Sequence, residues 1–367
     1  MAKAPLVVIA AGGSGGHMFP AQALAQEMMA RGWRVKLSTD ARGARYAAGF
    51  PDAVHREIIR SATFARGGAI AKLVAPMQIF GGILAALWSN LRERPEVVAG
   101  FGGYPSIPAL TAAILTFTPR VIHEQNGKLG RVNWLFARFV PVVACGTWPT
   151  IVPGWSKTLH VGNPVRPAIR EMHGTHYRPP SLQNKLFLVV IGGSQGAAIL
   201  SRVVPDAIAL LPLNLCARLS LSQQARPEDA EELAARYAEM GVKAEIKAFF
   251  DDLPQRLAEA QLVISRSGAS SVADIALIGR PAILIPYAAA IDDHQSANAR
   301  ALGNAGAAFL VQESDLTAAR LAGHMAEVLG NPELAREMAV SAAAQGRPDA
   351  AERLADLVEI VAAKGKV

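Results

Sequence analysis

Short apolar runs alternate along the chain with longer stretches in which apolar residues recur every three or four positions. LVVIA (6–10), RVKLS (34–38), EVVAGF (96–101), RVIHEQ (120–125) and PVVACG (141–146) read as strands. KLFLVVIGG (185–193), KAEIKAF (243–249), QLVIS (261–265) and PAILIPY (281–287) continue the series. Many are almost wholly apolar, as parallel strands buried on both faces must be. Between them, FPAQALAQEMMARG (19–32) and PEDAEELAARYAEMG (227–241) carry the helical period. Strand and helix in alternation predict an α/β fold with doubly wound parallel sheets.

The series breaks once. Between VGNPVRPAI (161–169) and Lys185, Pro164, Pro167, Pro179 and Pro180 stand among polar residues, a linker composition. Each side of the break opens with strand, glycine turn and helix. The pattern predicts two Rossmann-like domains separated by a cleft, residues 1–163 and 164–345. An amphipathic C-terminal helix within 346–367 is expected to cross back onto the first domain.

Composition narrows the class. With 51% hydrophobic and 18% charged residues, the 367-residue chain can bury two cores and is not disordered. Cys145 and Cys216 form no CxxC and have no histidine cluster nearby, which points to a reducing compartment without disulfides or a zinc site. HGTH (173–176) has a ligand-like spacing, but two ligands do not close a metal site. Met1-Ala2-Lys3 leads straight into the first strand with no secretory leader. No uninterrupted apolar run reaches the roughly 20 residues that span a bilayer. The expectation is a cytoplasmic protein that is not integral to a membrane.

The net charge of +7 is unevenly shared. Residues 1–163 carry 17 Lys and Arg against 7 Asp and Glu, and the remainder carries 20 against 23. A basic first half suits nucleic acid, an anionic membrane surface, or merely a soluble face.

Two glycine turns share one grammar, GGSGG (12–16) and GGSQG (192–196), each between a strand and a helix. Glycine lets backbone approach a phosphate, and the following helix offers free N–H groups and a positive dipole end. The strict dinucleotide fingerprint is not met, since Met18 stands where its third glycine belongs. Asp40 nevertheless follows the second strand at a spacing that suits a ribose acid, which keeps a nicotinamide enzyme open. Both turns also satisfy GxSxG, with Ser14 or Ser194 as a hydrolase nucleophile. A nucleophile elbow is used once per sheet, so its occurrence in both halves favours two anion-binding turns. Glycines that serve only a tight turn remain the plain reading of one of them. A third turn, SRSGASSVAD (265–274), leads into a helix, with Asp274 about one turn in. It reads equally as a ribose-binding acid and as a simple capped helix start.

In order, GGSGGHMFP, GGYPSIPAL, HEQNGKLGRVN, VGNPVR, GGSQGA, SRSGASSVADIALIGRPAILIPY and DDHQSANA closely resemble the MurG family. These bacterial glycosyltransferases add N-acetylglucosamine to lipid I, giving lipid II for peptidoglycan. The resemblance runs from Gly12 to the end of the chain and implies the GT-B fold, two Rossmann-like domains with a cleft between.

The resemblance implies a role for each matching residue. The second half would bind UDP-N-acetylglucosamine, with Phe250 beside the uracil through backbone contacts. Ala269, Ser270, Ser271 and Val272 would hold the nucleotide and Asp274 the ribose, where family members carry the longer Glu. Ser194, and Arg166 from the linker, would touch the diphosphate, and Gln295 the sugar hydroxyls. Ser14, where Thr is commoner in the family, would close over the donor with Gly15 and Gly16, and Asn126 would reach it too.

The donor is α-linked and the family's product β-linked, so the resemblance implies an inverting displacement by a UDP-N-acetylglucosamine-dependent hexosyltransferase. Such a step needs a base for the acceptor 4-hydroxyl and positive charge for departing UDP. His17 directly follows the glycines and suits the base, although a histidine there could simply bond locally. Glu124 is the rival base, with His123 orienting either. FDD and IDD have adjacent acids and no DxD, so neither a metal nor any other cofactor is expected. Helix dipoles and Arg166 supply the charge instead.

A lipid acceptor gives the basic first half a meaning. AIAKLVAPMQIFGGILAALW (69–88) is apolar and broken by Pro76 and Gly81-Gly82. Arg56, Arg60, Arg66 and Lys72 stand at its start, and Arg92 and Arg94 follow it. An apolar patch ringed by cations suits anionic headgroups, and part of the segment should be core. The implied partners are the UDP-sugar, lipid I and an anionic membrane surface, at the cytoplasmic face of the inner membrane. Nucleic acid is disfavoured, because the cations are not interleaved with aromatics and no nucleic-acid motif is present. Another lipid glycosyltransferase using a different UDP-sugar, or a docking protein that binds nucleotide sugars without turnover, remains open.

Overall fold

The computed structural model describes residues 4–59, 69–192 and 198–364; of residues 69–75 and Ile291 it describes the backbone alone. Ser194 and all of GGSQG beyond Gly192 lie outside the described residues, as do Arg60 and Arg66. The chain divides into two compact units, one of Met1–Arg166 with Arg347–Val367 and one of Pro167–Gly346.

In the first unit the chain runs β1 (Leu6–Ala10), α1 (Gly15–Ala30), β2 (Arg34–Thr39), β3 (His55–Ile58), α2 (Ala69–Glu93), β4 (Val97–Gly100), α3 (Ser106–Leu115), β5 (Arg120–Glu124), α4 (Arg131–Phe136), β6 (Val143–Cys145) and β7 (Thr158–His160). In the second it runs α5 (Pro167–Arg170), β8 (Leu186–Ile191), α6 (Ala198–Ala209), α7 (Leu213–Cys216), β9 (Leu219–Gln224), α8 (Pro227–Glu239), β10 (Lys243–Lys247), α9 (Leu253–Glu259), β11 (Leu262–Ser265), α10 (Ala269–Ile278), β12 (Ala282–Leu284), α11 (His294–Asn304), β13 (Ala308–Leu310), α12 (Ala318–Gly330) and α13 (Pro332–Gln345). The last helix, α14 (Ala350–Lys364), returns to the first unit.

Both sheets are parallel. Their orders are β3-β2-β1-β4-β5-β6-β7 and β10-β9-β8-β11-β12-β13. In each the order reverses beside the unit's first strand, between β1 and β4 and between β8 and β11. That reversal opens a crevice at the strands' C-terminal ends, where open α/β sheets bind ligands. All three glycine turns of the sequence follow strands that flank such a crevice.

The central strands β1, β4 and β11 are buried at every position, which accounts for their unbroken apolar sequence. Four strands, β3, β7, β9 and β13, are absent from the series read in the sequence. β3 is an edge strand and largely exposed. β9 alternates buried and half-buried positions, and β7 and β13 are three residues long. On one face of the first sheet, Met18, Leu24 and Met28 of α1 pack with Leu354, Val358 and Val361 of α14. On the other, Leu110 of α3 and Phe136 of α4 cover Val98 and Ile122. The second unit has its own core, built on Leu188, Val190, Leu221 and Ile264 with Met325 and Met338.

Two helices differ from their sequence signals. α1 begins at Gly15, four residues before the apolar period does, which places Gly15, Gly16 and His17 in its first turn. α2 is one helix of 25 residues, unbroken by Pro76 or the glycine pair. Pro76 lies on the exposed side, where water serves the carbonyl that loses its partner. The amphipathicity of α2 is inverted. Gly82, Ala86, Ser89 and Asn90 face inward, while Met77, Phe80, Leu84, Trp88 and Leu91 are 50–74% exposed. Their spacing of three, four, four and three residues puts them on one stripe.

Candidate active site

In the first unit the site grows from the ends of β1, β4 and β5. After β1 the chain turns through Gly12, Gly13 and Ser14 into α1. Gly12 is wedged so tightly that a Cβ there would meet Asp40 Oδ1 and Pro105 at 2.8 Å. His17 Nδ1 lies 3.1 Å from the Gly12 carbonyl oxygen and 3.3 Å from Ser14 Oγ. A carbonyl only accepts, so Nδ1 carries the proton and Nε2 is the basic nitrogen of the neutral ring. After β4, Gly102 and Gly103 adopt φ of +84° and +74°, which glycine tolerates. A Cβ on Gly103 would press on the His17 ring at 3.4 Å. Ser106 Oγ donates to Gly102 O or Ala10 O, at 2.7 and 2.9 Å, and ties the ends of β4 and β1 together.

Glu124 closes β5 and is 2% exposed. Its Oε1 accepts from the backbone and side-chain nitrogens of Asn126, at 3.1 and 2.9 Å. Its Oε2 accepts from Gly130 N at 2.8 Å and Asn133 Nδ2 at 2.9 Å. Four N–H donors use the carboxylate's roughly four acceptor directions. Glu124 therefore organises the 126–130 loop, and it offers no lone pair to a substrate proton. Asn126 thus donates to Glu124 through both its backbone and its side-chain nitrogen, which fixes the direction of its amide. His123, wholly buried, bonds Gly162 O through Nε2 at 3.1 Å. Burial pushes its pKa down to about 4, the Gly162 bond opposing only in part. Arg166 lays its guanidinium over Phe19 of α1 at 4.9 Å.

In the second unit the turn after β11 enters α10 with neither a capping side chain nor an acid in the first turn. Its leading N–H groups, from Ala269, Ser270 and Ser271, have no partner within the helix, while Val272 N already bonds Gly268 O at 3.0 Å. Ser267 Oγ and Ser270 Oγ are buried there without a hydrogen-bond partner. Buried orphan hydroxyls beside a helix N-terminus suit an incoming anion. Asp274 lies in the second turn and is buried.

Gln295 opens α11, and its Oε1 accepts from Tyr287 N at 3.0 Å, which leaves its amide N–H2 as the donor. Asp292 and Asp293 before it have φ of 56° and 53°, a strained pair of the kind that clusters at functional sites. Arg266 holds this loop from below through Ile285 O, Pro286 O and Glu313, at 3.3, 3.1 and 2.9 Å. Burial works against ionisation of Glu313, but Ala288 N–H and Arg266 outweigh it and keep the carboxyl below its usual range. The Phe250 ring is buried beneath Arg256, whose guanidinium stands 4.4 Å away and also bonds Ser222, Glu245 and Asp252.

The first unit thus gathers Ser14, Gly15, Gly16 and His17 at one strand end and Glu124 with Asn126 at another, bridged by Gly102 and Gly103. The second unit gathers Ala269, Ser270, Ser271, Val272 and Asp274 on one helix start. Arg266, Glu313 and Asn298 carry no distinguishing signal in the sequence, although Arg266 lies within SRSGASSVAD and Asn298 within DDHQSANA. Asn298 Nδ2 donates to Ser267 O at 3.0 Å and fixes the turn.

Two parallel-sheet α/β units with their strand-end turns at the switch points are the architecture of the GT-B fold, and the family matches give the class of the chain as glycosyltransferase. Residues 7–145 match the glycosyltransferase family 28 N-terminal domain, and residues 187–354 its C-terminal domain. The chain is 48% identical to a UDP-N-acetylglucosamine–N-acetylmuramyl-(pentapeptide) pyrophosphoryl-undecaprenol N-acetylglucosamine transferase of Chelativorans sp. (strain BNC1), over 97% of this chain and 95% of that one. It is 44% identical to a protein of the same name from Rhizobium meliloti (strain 1021), over 99% and 97%. The crystal structure of Acinetobacter baumannii MurG superposes with a TM-score of 0.79 at 29% identity, covering 97% of this chain and 99% of that one. The calicheamicin glycosyltransferase CalG4, at 15% identity and a TM-score of 0.66, shares the fold. The chain belongs to the MurG family.

Proposed function

We propose that this protein is the inverting glycosyltransferase that moves N-acetylglucosamine from UDP-N-acetylglucosamine to the 4-hydroxyl of the N-acetylmuramyl unit of lipid I, giving lipid II. The observation that carries the reading is near-full-length identity of 48% to a relative of that name. The chemistry of the two switch points supports it. His17 Nε2 takes the proton of the acceptor hydroxyl as oxygen attacks the anomeric carbon, and UDP leaves on the opposite face. Ser14, Gly15, Gly16 and Asn126 address the sugar end of the donor.

The α10 N-terminus, Ser270 and Ser271 hold the nucleotide, Asp274 the ribose hydroxyls, and Gln295 a sugar hydroxyl through its amide. Arg166 and Ser194 meet the diphosphate, where positive charge eases departure of UDP. Phe250 stands by the uracil. Glu124 serves as the anchor of the Asn126 loop rather than as the base.

The exposed stripe on α2 supports peripheral docking on an anionic membrane, where the lipid acceptor resides. Arg92 lies 5.2 Å over Trp88 and adds a cation at its edge. No helix among the described residues is long and apolar enough to cross a membrane.

The test is transfer by purified protein to a lipid I analogue, with UDP-N-acetylglucosamine in competition with UDP-glucose and UDP-N-acetylgalactosamine. Transfer should require no added cofactor and favour the N-acetylglucosamine donor. Folded protein that binds UDP without transferring would mark a binding module, and preference for another donor would reassign the substrate.

A further inference from the structure

The acid that closes β2 invites comparison with nucleotide-binding Rossmann folds, where such a residue grips the ribose. Here it is engaged elsewhere. Asp40 is 5% exposed. Its Oδ1 accepts from Gly13 N at 3.2 Å and from Gly43 N at 2.8 Å. Its Oδ2 accepts from Arg42 Nε at 3.1 Å. The carboxylate is folded back onto the glycine turn, with too little acceptor capacity left for the two hydroxyls of a ribose.

The turn that Asp40 grips is the one that sets His17. Gly12 and Gly13 share a peptide unit, so the N–H held by Asp40 and the carbonyl that takes His17 Nδ1 belong to one rigid plane. Pro105 walls the other side of Gly12, and a Cβ at Gly43 would stand 2.9 Å from Gly12 Cα. The peptide is therefore fixed by one buried charge-assisted contact and two close packings. We infer that Asp40 is a positioning residue that acts through the Gly12–Gly13 peptide to fix the tautomer and direction of the His17 ring. The inference rests on the reading of His17 as the base. The first glycine turn is thus occupied by its own carboxylate and oriented toward proton transfer.

The experiment compares Asp40→Ala, Asp40→Asn, His17→Ala and the Asp40→Ala/His17→Ala double variant in steady-state transfer, with UDP affinity and thermal melting measured alongside. Asp40→Ala should lower kcat by about 10- to 100-fold while leaving UDP affinity within about twofold, since the residues proposed to hold the nucleotide lie on the second unit. Asp40→Asn keeps an acceptor oxygen for Gly13 and should recover most of the loss. In the His17→Ala background, Asp40→Ala should cost nothing further, as residues acting through one group are non-additive.

Parental kcat in Asp40→Ala, or an equal loss in both backgrounds, overturns the inference. If Asp40→Ala does not fold, Asp40→Asn and Asp40→Glu decide: Glu pushes the acceptor out by one methylene and should lose kcat where Asn does not, and equal activity overturns the inference. His17→Ala at parental turnover overturns the base reading itself, a result separate from any of these.

Discussion

His17 Nδ1 lies 3.1 Å from the Gly12 carbonyl oxygen, and that contact decides which ring nitrogen can take a proton. The carboxylate of Glu124, by contrast, is surrounded by N–H donors. The two residues that compete for one role in the sequence are thus separated by their hydrogen bonds.

Replacing His17 by Ala should lower kcat by about 10²- to 10⁴-fold, the range of general-base catalysis. UDP affinity, measured by calorimetry, should stay near the parent's.

Glu124→Gln sets an amide N–H2 against donors that the carboxylate now satisfies. It should cost about 1–3 kcal/mol of stability in urea unfolding, through the mispaired buried groups. Turnover should fall with the disordered Asn126 loop, but the acid limb of the kcat–pH profile should not move. A displaced limb would restore Glu124 as the titrating base.

His123 makes stability depend on pH. Below pH 6.5 the unfolded chain takes up a proton on this ring, which the folded chain refuses until about pH 4. Its contribution is fully present above that window and is lost as pH falls through it, by about 3 kcal/mol at most. Urea unfolding at pH 7.5 and 4.5 should reveal the difference, and His123→Gln should shrink it.

The α2 stripe should govern membrane binding and not chemistry. Phe80→Ser/Trp88→Ser should weaken cosedimentation with anionic vesicles by at least about tenfold, since each large side chain is worth about 1.5–3 kcal/mol when buried. Transfer to a water-soluble acceptor analogue should be unchanged. Undiminished vesicle binding would place the docking surface elsewhere.

The parallel α/β architecture was legible because central strands such as β1 and β11 are apolar throughout, a pattern with few alternatives. β3 and β9 were not, since an edge or half-buried strand keeps its polar residues. The start of α1 escaped notice because glycines are poor helix formers and carry no period. At the candidate site, residue types and order pointed to turns, acids and a histidine. Their connections did not show. Asp40 reaches Gly13 across 27 residues and Arg266 reaches Glu313 across 47. Spacing along a chain does not encode which lone pair a carboxylate spends on which amide.

The return of α14 to the first unit has a consequence for biosynthesis. Leu354, Val358 and Val361 complete the core that β1 and α1 begin. The unit whose residues leave the ribosome first therefore cannot finish folding until the last of them has emerged, while the unit encoded between can already be complete. A premature stop between Gly346 and Leu354 should leave the second unit complete but attached to an unfinished, sticky first unit, so α14 acts as a checkpoint on the folding of the unit that is made first.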